Sequence, residues 1–492
     1  MRESGILMHI TSLPGPYGIG TMGREAFHFV DFLEQAGQSC WQILPLTPTG
    51  YGDSPYQSFG ACAGNHYLID LEKLVEQGLL KQEELDAVCW STQPQRVDFG
   101  IMYRERTKIL RLAFSRFVPD EAYRAFVAEN KSWLADFGLF MALKEENGGV
   151  SWLDWPEKIR LHDEAALDEK RCLLHDTIEL QYFLQYQFDL QWKALRSYAN
   201  GKGIRIIGDV PIYVPLDSAD VWANSHLFQL DETRRPKLVA GCPPDSFTAD
   251  GQLWGNPLYD WKTMADTNYA WWIRRLEAAA RMYDVVRIDH FRGFESYWAI
   301  PAGDDTARNG EWVPGPGMAF IRAIQKALPG LDFIAEDLGY VTPQVRKLQL
   351  DSGYPGMKVM EFAFDSREQS DYLPHLYPVD SVCYTGTHDN VTLGQWFDEA
   401  SKEDVDYAKS YLGLNREEGY IWGMIRGAMS SVSRLCVVQM QDYLELGKAA
   451  RMNFPGTLSS ANWTWRAEAG FASEKLAKRI RGMTCLYGRI KQ

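Results

Sequence analysis

Arg287, Asp289, His290 and Arg292 crowd into six residues of the stretch VVRIDHFRGF (285–294), just where its apolar run ends. A strand interior seldom carries so much charge, because unpaired buried charge is costly. The carboxyl end of a parallel strand is the natural place for such groups, since α/β barrels build their sites there. Arg287 and Asp289 are two residues apart, so both side chains leave the same strand face. A guanidinium in that position would hold the carboxylate ionised, the state a nucleophile needs. The same pair could equally serve to fix strand register. Three more runs end in the same way: Asp209 in IIGDVPIYV, Glu336 with Asp337 in DFIAEDLG, and His388 with Asp389 in SVCYTGTHDN.

Several acids with an Arg and a His in one cup have three common uses: glycoside cleavage, metal binding and structural ion pairing. HxH and HExxH spacings are missing and the arginine would repel a cation, so no metal and no cofactor is expected. Glycoside chemistry needs one ionised carboxylate to attack the anomeric carbon and one protonated carboxyl for the leaving oxygen. Asp289 suits the first duty. Glu336 follows the apolar Phe333-Ile334-Ala335, and partial burial there would raise its pKa and keep its proton. Asp389 with His388 could grip the hydroxyls of the reacting sugar. Asp337 would point to the opposite side of its strand, which is a structural position. His9, at the end of the first strand, reads as a structural histidine. Cys62 and Cys242 have no neighbour in sequence that would activate a thiolate.

Eight short apolar runs have to position these groups: Gly5–Ile10, Cys40–Pro45, Ile204–Val210, Val285–Asp289, Phe333–Glu336, Lys358–Phe364, Ser381–Gly386 and Leu435–Gln439. Helical patterns at 22–36, 262–283, 317–328, 342–351 and 415–434 alternate with them, which implies a parallel sheet. Eight strands favour a closed α/β barrel of the (β/α)8 TIM type; an open doubly wound sheet lacks the GxGxxG it would bring. Two intervals are too long for a simple crossover. Between the second and third strands, 101–117, 121–146 and 164–199 are helical in pattern, so 66–200 reads as an inserted, mainly helical subdomain. The barrel itself then comprises 1–65 and 201–492. The second excess, 211–260, is rich in Pro, Gly, Asp and Trp and reads as an active-site loop region.

A chain of 492 residues exceeds what one simple core usually supports, in line with an elaborated domain. The formal net charge of −14 argues against nucleic acid or an anionic membrane as partner, since both require basic patches. It is compatible with a neutral sugar, and the 17 Trp and 24 Tyr include rings that can pack on pyranose faces. No run approaches the length of a membrane span and no signal peptide is recognisable. Eight cysteines without paired spacing fit a reducing compartment, so a cytoplasmic location is expected.

The set GDVPIYV, RIDHFRGF, AEDLG and GTHDN resembles the four conserved segments of the α-amylase superfamily. More closely, the chain resembles the 4-α-glucanotransferases known as amylomaltase or disproportionating enzyme. The segments SLPGPYGIGTMG, WQILPLTPTGYGDSPYQSFGACAGN, PPDSFTADGQLWGNPLYDW, SGYPGMKVMEFAF and RMNFPGTLSSANWTWR carry that likeness from about residue 5 to 470. The resemblance implies a retaining, metal-independent enzyme that moves α-1,4-glucan segments between chains. It implies Asp289 as nucleophile, Glu336 as acid/base and Asp389 as the third carboxylate. It places Tyr56, Asp209, Arg287 and His388 around the attacked sugar, and Ser54, Gln57, Trp254 and Asn462 at neighbouring subsites. Trp254 could also simply pack a loop. An α-glucan hydrolase would use the same covalent intermediate, and only the resemblance favours transfer. A non-catalytic glucan-binding protein would ordinarily have lost one of the two carboxylates. For transfer to win over water, the loops 50–60 and 242–257 are expected to face each other and shield the intermediate.

Overall fold

The computed structural model describes residues 2–244 and 248–490. Its centre is a closed barrel of eight parallel strands. In chain order these are β1 (Glu3–Leu7), β2 (Cys40–Gln42), β3 (Arg205–Pro211), β4 (Val285–Asp289), β5 (Asp332–Ala335), β6 (Gly356–Val359), β7 (Ser381–Tyr384) and β8 (Leu435–Gln439). Each pairs with the next, and β8 closes on β1 with Glu3 opposite Leu435 and Leu7 opposite Gln439. Helices cover the sheet, which is why β8 (LCVVQ) is buried along its whole length. The helix Arg24–Gln35 buries Ala26, Phe29, Val30, Phe32 and Leu33, and Gly37 ends it in a left-handed turn at φ 70°. Gly208 in β3 leaves room for the ring of Tyr283, since a Cβ there would lie 2.1 Å from that ring. The ring's hydroxyl in turn receives the Leu46 amide at 3.2 Å.

All eight expected strands are present, with shifted ends. β6 is the largest shift: it stops at Val359, and Met360–Phe362 form a 3-10 turn where the apolar run had suggested continued strand. The helix expected at 262–283 is two, Trp261–Asp266 and Ala270–Met282, broken where Asn268 and Tyr269 take positive φ. Helix 415–434 shortens to Tyr420–Ser430, and Leu393–Glu399 and Lys402–Leu412 are additional. Between β2 and β3, the long helices Glu121–Glu146 and His175–Gly201 pack together. The second starts afresh after Leu174, so the single helix expected at 164–199 is interrupted there. Phe137, Phe140, Phe183 and Trp192 of this interval join the apolar core of the barrel. Tyr123, Phe126, Leu134 and Tyr186 form a small separate cluster.

The stretch 211–260 is more ordered than the loop expected of it. Leu238–Cys242 and Gln252–Pro257 are strands of a four-stranded antiparallel sheet, completed by Ser296–Pro301 and Glu311–Pro314. Short strands containing Gly and Pro show little alternation, so only the pairing with residues 296–301 reveals them. Among the described residues, no helix is long and apolar enough to cross a membrane.

Candidate active site

Asp209 of β3 and Arg287 of β4 are register partners, so their side chains share one face of neighbouring strands. Both are almost wholly buried, at 2% and 3% exposure. Arg287 Nη1 donates to Asp209 Oδ2 at 2.6 Å and lies 2.9 Å from Asp289 Oδ1. One cation thus links the ends of two strands. Its pKa is raised well above the ordinary arginine value, because the two carboxylates outweigh the cost of burying it.

Glu336 follows β5 directly. Its Oε2 accepts the backbone N–H of His290 at 2.7 Å and its Oε1 that of Leu338 at 2.8 Å. His290 adopts φ 54°, and this left-handed turn directly after Asp289 aims its amide at the second acid. Burial, with the charge of Asp289 adding to it, pushes the Glu336 carboxyl up to about 7. Asp289 is also raised, to about 6, by burial against the opposing pull of Arg287. The sequence had suggested that the guanidinium would hold this carboxyl down, but removal from water is the larger effect. The Asp289 side chain keeps 30% of its surface open to the cleft, so water there moderates the shift. Of the two, Glu336 holds its proton to the higher pH.

His388 and Asp389 lie beyond β7, with His388 Nε2 3.3 Å from Asp389 Oδ2. Burial pushes the Asp389 carboxyl up, but His388 and the amide of Asn453 outweigh it and hold the group at about 2. His388 is raised in return: burial lowers its pKa, and the Asp389 charge wins over it. Tyr56 closes the group from the loop after β2. Its hydroxyl donates to Asp209 Oδ2 at 2.7 Å and lies 3.4 Å from His388 Nδ1, while its ring stacks on the His388 ring at 5.0 Å.

The structure therefore brings Tyr56, Asp209, Arg287, Asp289, Glu336, His388 and Asp389 to one end of the barrel. Trp254 stands beside them with its indole edge-on to His290 at 4.8 Å, anchored through Nε1 to Gln252 Oε1 at 3.0 Å. Ser54 and Asn462 use their polar atoms on nearby backbone: Ser54 Oγ accepts the Tyr56 amide, and Asn462 accepts the Phe454 amide and donates to Thr457. Gln57 contributes its backbone carbonyl to the turn at Gly50. Part of the 242–257 loop, residues 245–247, lies outside the described residues. Asp337 accepts the Met357 amide at 2.7 Å and so ties β5 to β6. His9 accepts the Leu44 amide at 3.3 Å, and burial pushes its pKa down to about 3, which keeps it neutral. Among the described residues, no group of three or more His, Cys, Asp and Glu side chains is arranged to hold a metal ion.

Sequence reasoning passed over the supports of Asp389. Asn453 Nδ2 donates to Asp389 Oδ1 at 2.6 Å, and Arg451 Nη2 donates to the Asp389 carbonyl at 2.7 Å. Trp463, at φ 64°, sets its ring 5.8 Å from both Tyr56 and His388. These residues lie in RMNFPGTLSSANWTWR, a segment that carried the resemblance, and only the fold shows what they touch.

Comparison with known proteins identifies the family of the chain. The sequence model of the family described as 4-alpha-glucanotransferase matches residues 8–472. The chain is 47% identical to a 4-alpha-glucanotransferase of Clostridium butyricum over 488 residues, 98% of this chain and 100% of that one. It is equally 47% identical to one of Streptococcus pneumoniae, over 100% of this chain and 98% of that one. Amylomaltase from Streptococcus agalactiae, solved in complex with acarbose, superposes with a TM-score of 0.97 at 41% identity, covering 100% of both chains. The chain belongs to the 4-alpha-glucanotransferase family.

Proposed function

We propose that Asp289 is the nucleophile and Glu336 the acid/base of a retaining glucan transfer, with donor and acceptor both α-1,4-linked chains. The proton on Glu336 goes to the glycosidic oxygen as the Asp289 carboxylate attacks the anomeric carbon. The C–O bond to the leaving chain breaks, and a glycosyl ester on Asp289 forms. The 4-hydroxyl of an acceptor chain then attacks the same carbon. Glu336, now ionised, takes the hydroxyl proton, and the ester bond to Asp289 breaks. Two inversions restore the original configuration, and the number of glycosidic bonds is unchanged.

The other residues follow from their contacts. Arg287 balances the charge of Asp289 and gathers Asp209 and Tyr56 around the donor sugar. Asp389, ionised at neutral pH, accepts hydroxyls of the distorted ring, and His388 turns it toward the cleft. Trp254 covers the acceptor side. The reaction takes place in the cytoplasm, a reading supported by cysteines without paired spacing.

The observation that carries this assignment is the joining of the two acids through one turn: Glu336 is held by the amide of the residue that follows Asp289. Incubation with maltotriose, followed by separation of the products, tests it. Longer maltooligosaccharides together with free glucose are expected. Shorter sugars alone would mean that water takes the glycosyl group.

A further inference from the structure

The loop that carries Tyr56 continues into Gly60-Ala61-Cys62, and these residues form one wall of a separate cavity of about 120 Å³. The opposite walls are the helix Glu121–Glu146 and the barrel helix Ala270–Met282. A space of this size holds several waters or part of one sugar ring. Clefts between packed units are also common places for small-molecule sites.

The lining has the chemistry of a sugar site. Trp133 lines the cavity and is held in place: its Nε1 donates to Asn130 Oδ1 at 3.1 Å, and the same oxygen accepts from Arg281 at 3.4 Å. Asp136 is half-buried, yet its carboxylate makes no hydrogen bond or ion pair among the described residues. Arg274 and Glu277 line the same space, and their side chains are likewise unbonded among those residues. Asp220 gives one oxygen to the Ala61 amide at 2.7 Å. Three carboxylates (Asp136, Asp220, Glu277) and the arginines Arg274 and Arg281 line it, while the Arg275 guanidinium is turned to the Pro211 and Ile212 carbonyls, so charges of both signs stand around the space. A neutral ring with many hydroxyls matches all of it, with one apolar face on an indole and hydroxyls toward charged acceptors and donors. Cys62 is no nucleophile, because burial pushes its thiol up to about 12.

We propose that this cavity is an auxiliary pyranose site that holds a glucose unit away from the catalytic carboxylates. The choice of glucose rests on the glucan reading given above; the polyol chemistry of the cavity does not. Its wall is also the catalytic loop. Ala61 and Arg275 also line a smaller space of about 30 Å³ that Tyr56 and Asp209 share. Ala61 and Arg275 thus border both the outer cavity and the space beside the Tyr56–Asp209 bond.

Equilibrium dialysis with labelled maltose tests the proposal, using an Asp289→Asn background that does not turn the probe over. Two binding events per chain are expected. Trp133→Ala in that background should weaken one of them at least tenfold and leave the other unchanged. Asp136→Asn, a milder change on the helix surface, should weaken the same event and guards against a folding defect in the first variant. A single event per chain, or two events that neither substitution touches, overturns the proposal. Transfer by the wild-type enzyme, measured alongside on maltotriose, reports separately on the catalytic assignment.

Discussion

His290 donates its backbone N–H to the Glu336 carboxylate at 2.7 Å, so the residue after the first acid holds the second. The same segment receives a further bond, from the Glu336 amide to the Ile288 carbonyl at 3.0 Å. The relative placement of the two carboxyl groups is thus built from main chain at the ends of β4 and β5. Main chain moves less than side chain, and this is the kind of preorganisation that acid and nucleophile require.

Asp289→Asn is expected to keep the fold and the affinity for glucan and to lose turnover by several orders of magnitude. An amide cannot form the glycosyl ester, and no other carboxylate can take its place. Initial rates on maltotriose, with circular dichroism as the folding control, check this. Residual activity above about a tenth of wild type would remove Asp289 from the nucleophile role.

Glu336→Gln is expected to lower turnover of maltotriose by about 10²–10⁴, the usual weight of a positioned proton donor. A glycosyl fluoride leaves without needing a proton. Burst release of fluoride from α-maltosyl fluoride should therefore survive in the variant. If the burst vanishes along with maltotriose turnover, Glu336 does more than supply the proton.

The dependence of kcat/KM on pH should be a narrow bell. Asp289 must be ionised, and its raised value near 6 means that activity falls as the pH drops through that region. Glu336 must be protonated, and activity falls again as the pH rises through about 7. The two groups interact, so the limbs report the pair rather than either residue alone. A flat profile from pH 4 to 9 would contradict the assignment.

Asn453→Ala should reduce kcat about ten- to a hundredfold, the weight of one hydrogen bond to a charged group. The reason is the 2.6 Å contact that keeps Asp389 turned toward the ring. KM should change less than kcat, because the grip on a distorted ring matters most in the transition state. A change confined to KM would make Asn453 a ground-state contact instead.

Trp254→Ala should raise the ratio of glucose released by water to chains transferred. Its indole stands edge-on to His290, next to Asp289, on one of the two loops expected to shield the ester. The ratio is to be measured on maltotriose at fixed conversion. If it stays at the wild-type value while total turnover falls, Trp254 only supports its loop.

The acids were legible in the sequence because each follows an apolar run, and a barrel gathers such strand ends onto one face. Barrel closure was legible for a similar reason, since eight buried strands stand out as apolar runs wherever they pair. Apolar character alone could not tell where β6 turns into a 3-10 segment at Met360, because both conformations bury the same side chains. The pairing of Gly241 with Trp298 could not be read either, since neither strand alternates strongly. Asn453 and Arg451 were silent for another reason. Their partner Asp389 lies more than sixty residues away, and a hydrogen bond across that distance leaves no local pattern.

The supports of Asp389 also give the site an order of assembly. β1 pairs early with β2 but finds its second neighbour only when Leu435–Gln439 has been made, and Asn453 and Trp463 come later still. During synthesis, Asp289 and Glu336 leave the ribosome well over a hundred residues before the parts that complete their surroundings. A nascent chain therefore carries both acids while the barrel is still open to water. Glucan in the surrounding solution meets a working site only after the residues up to about 463 have emerged and folded back onto the loop of Tyr56.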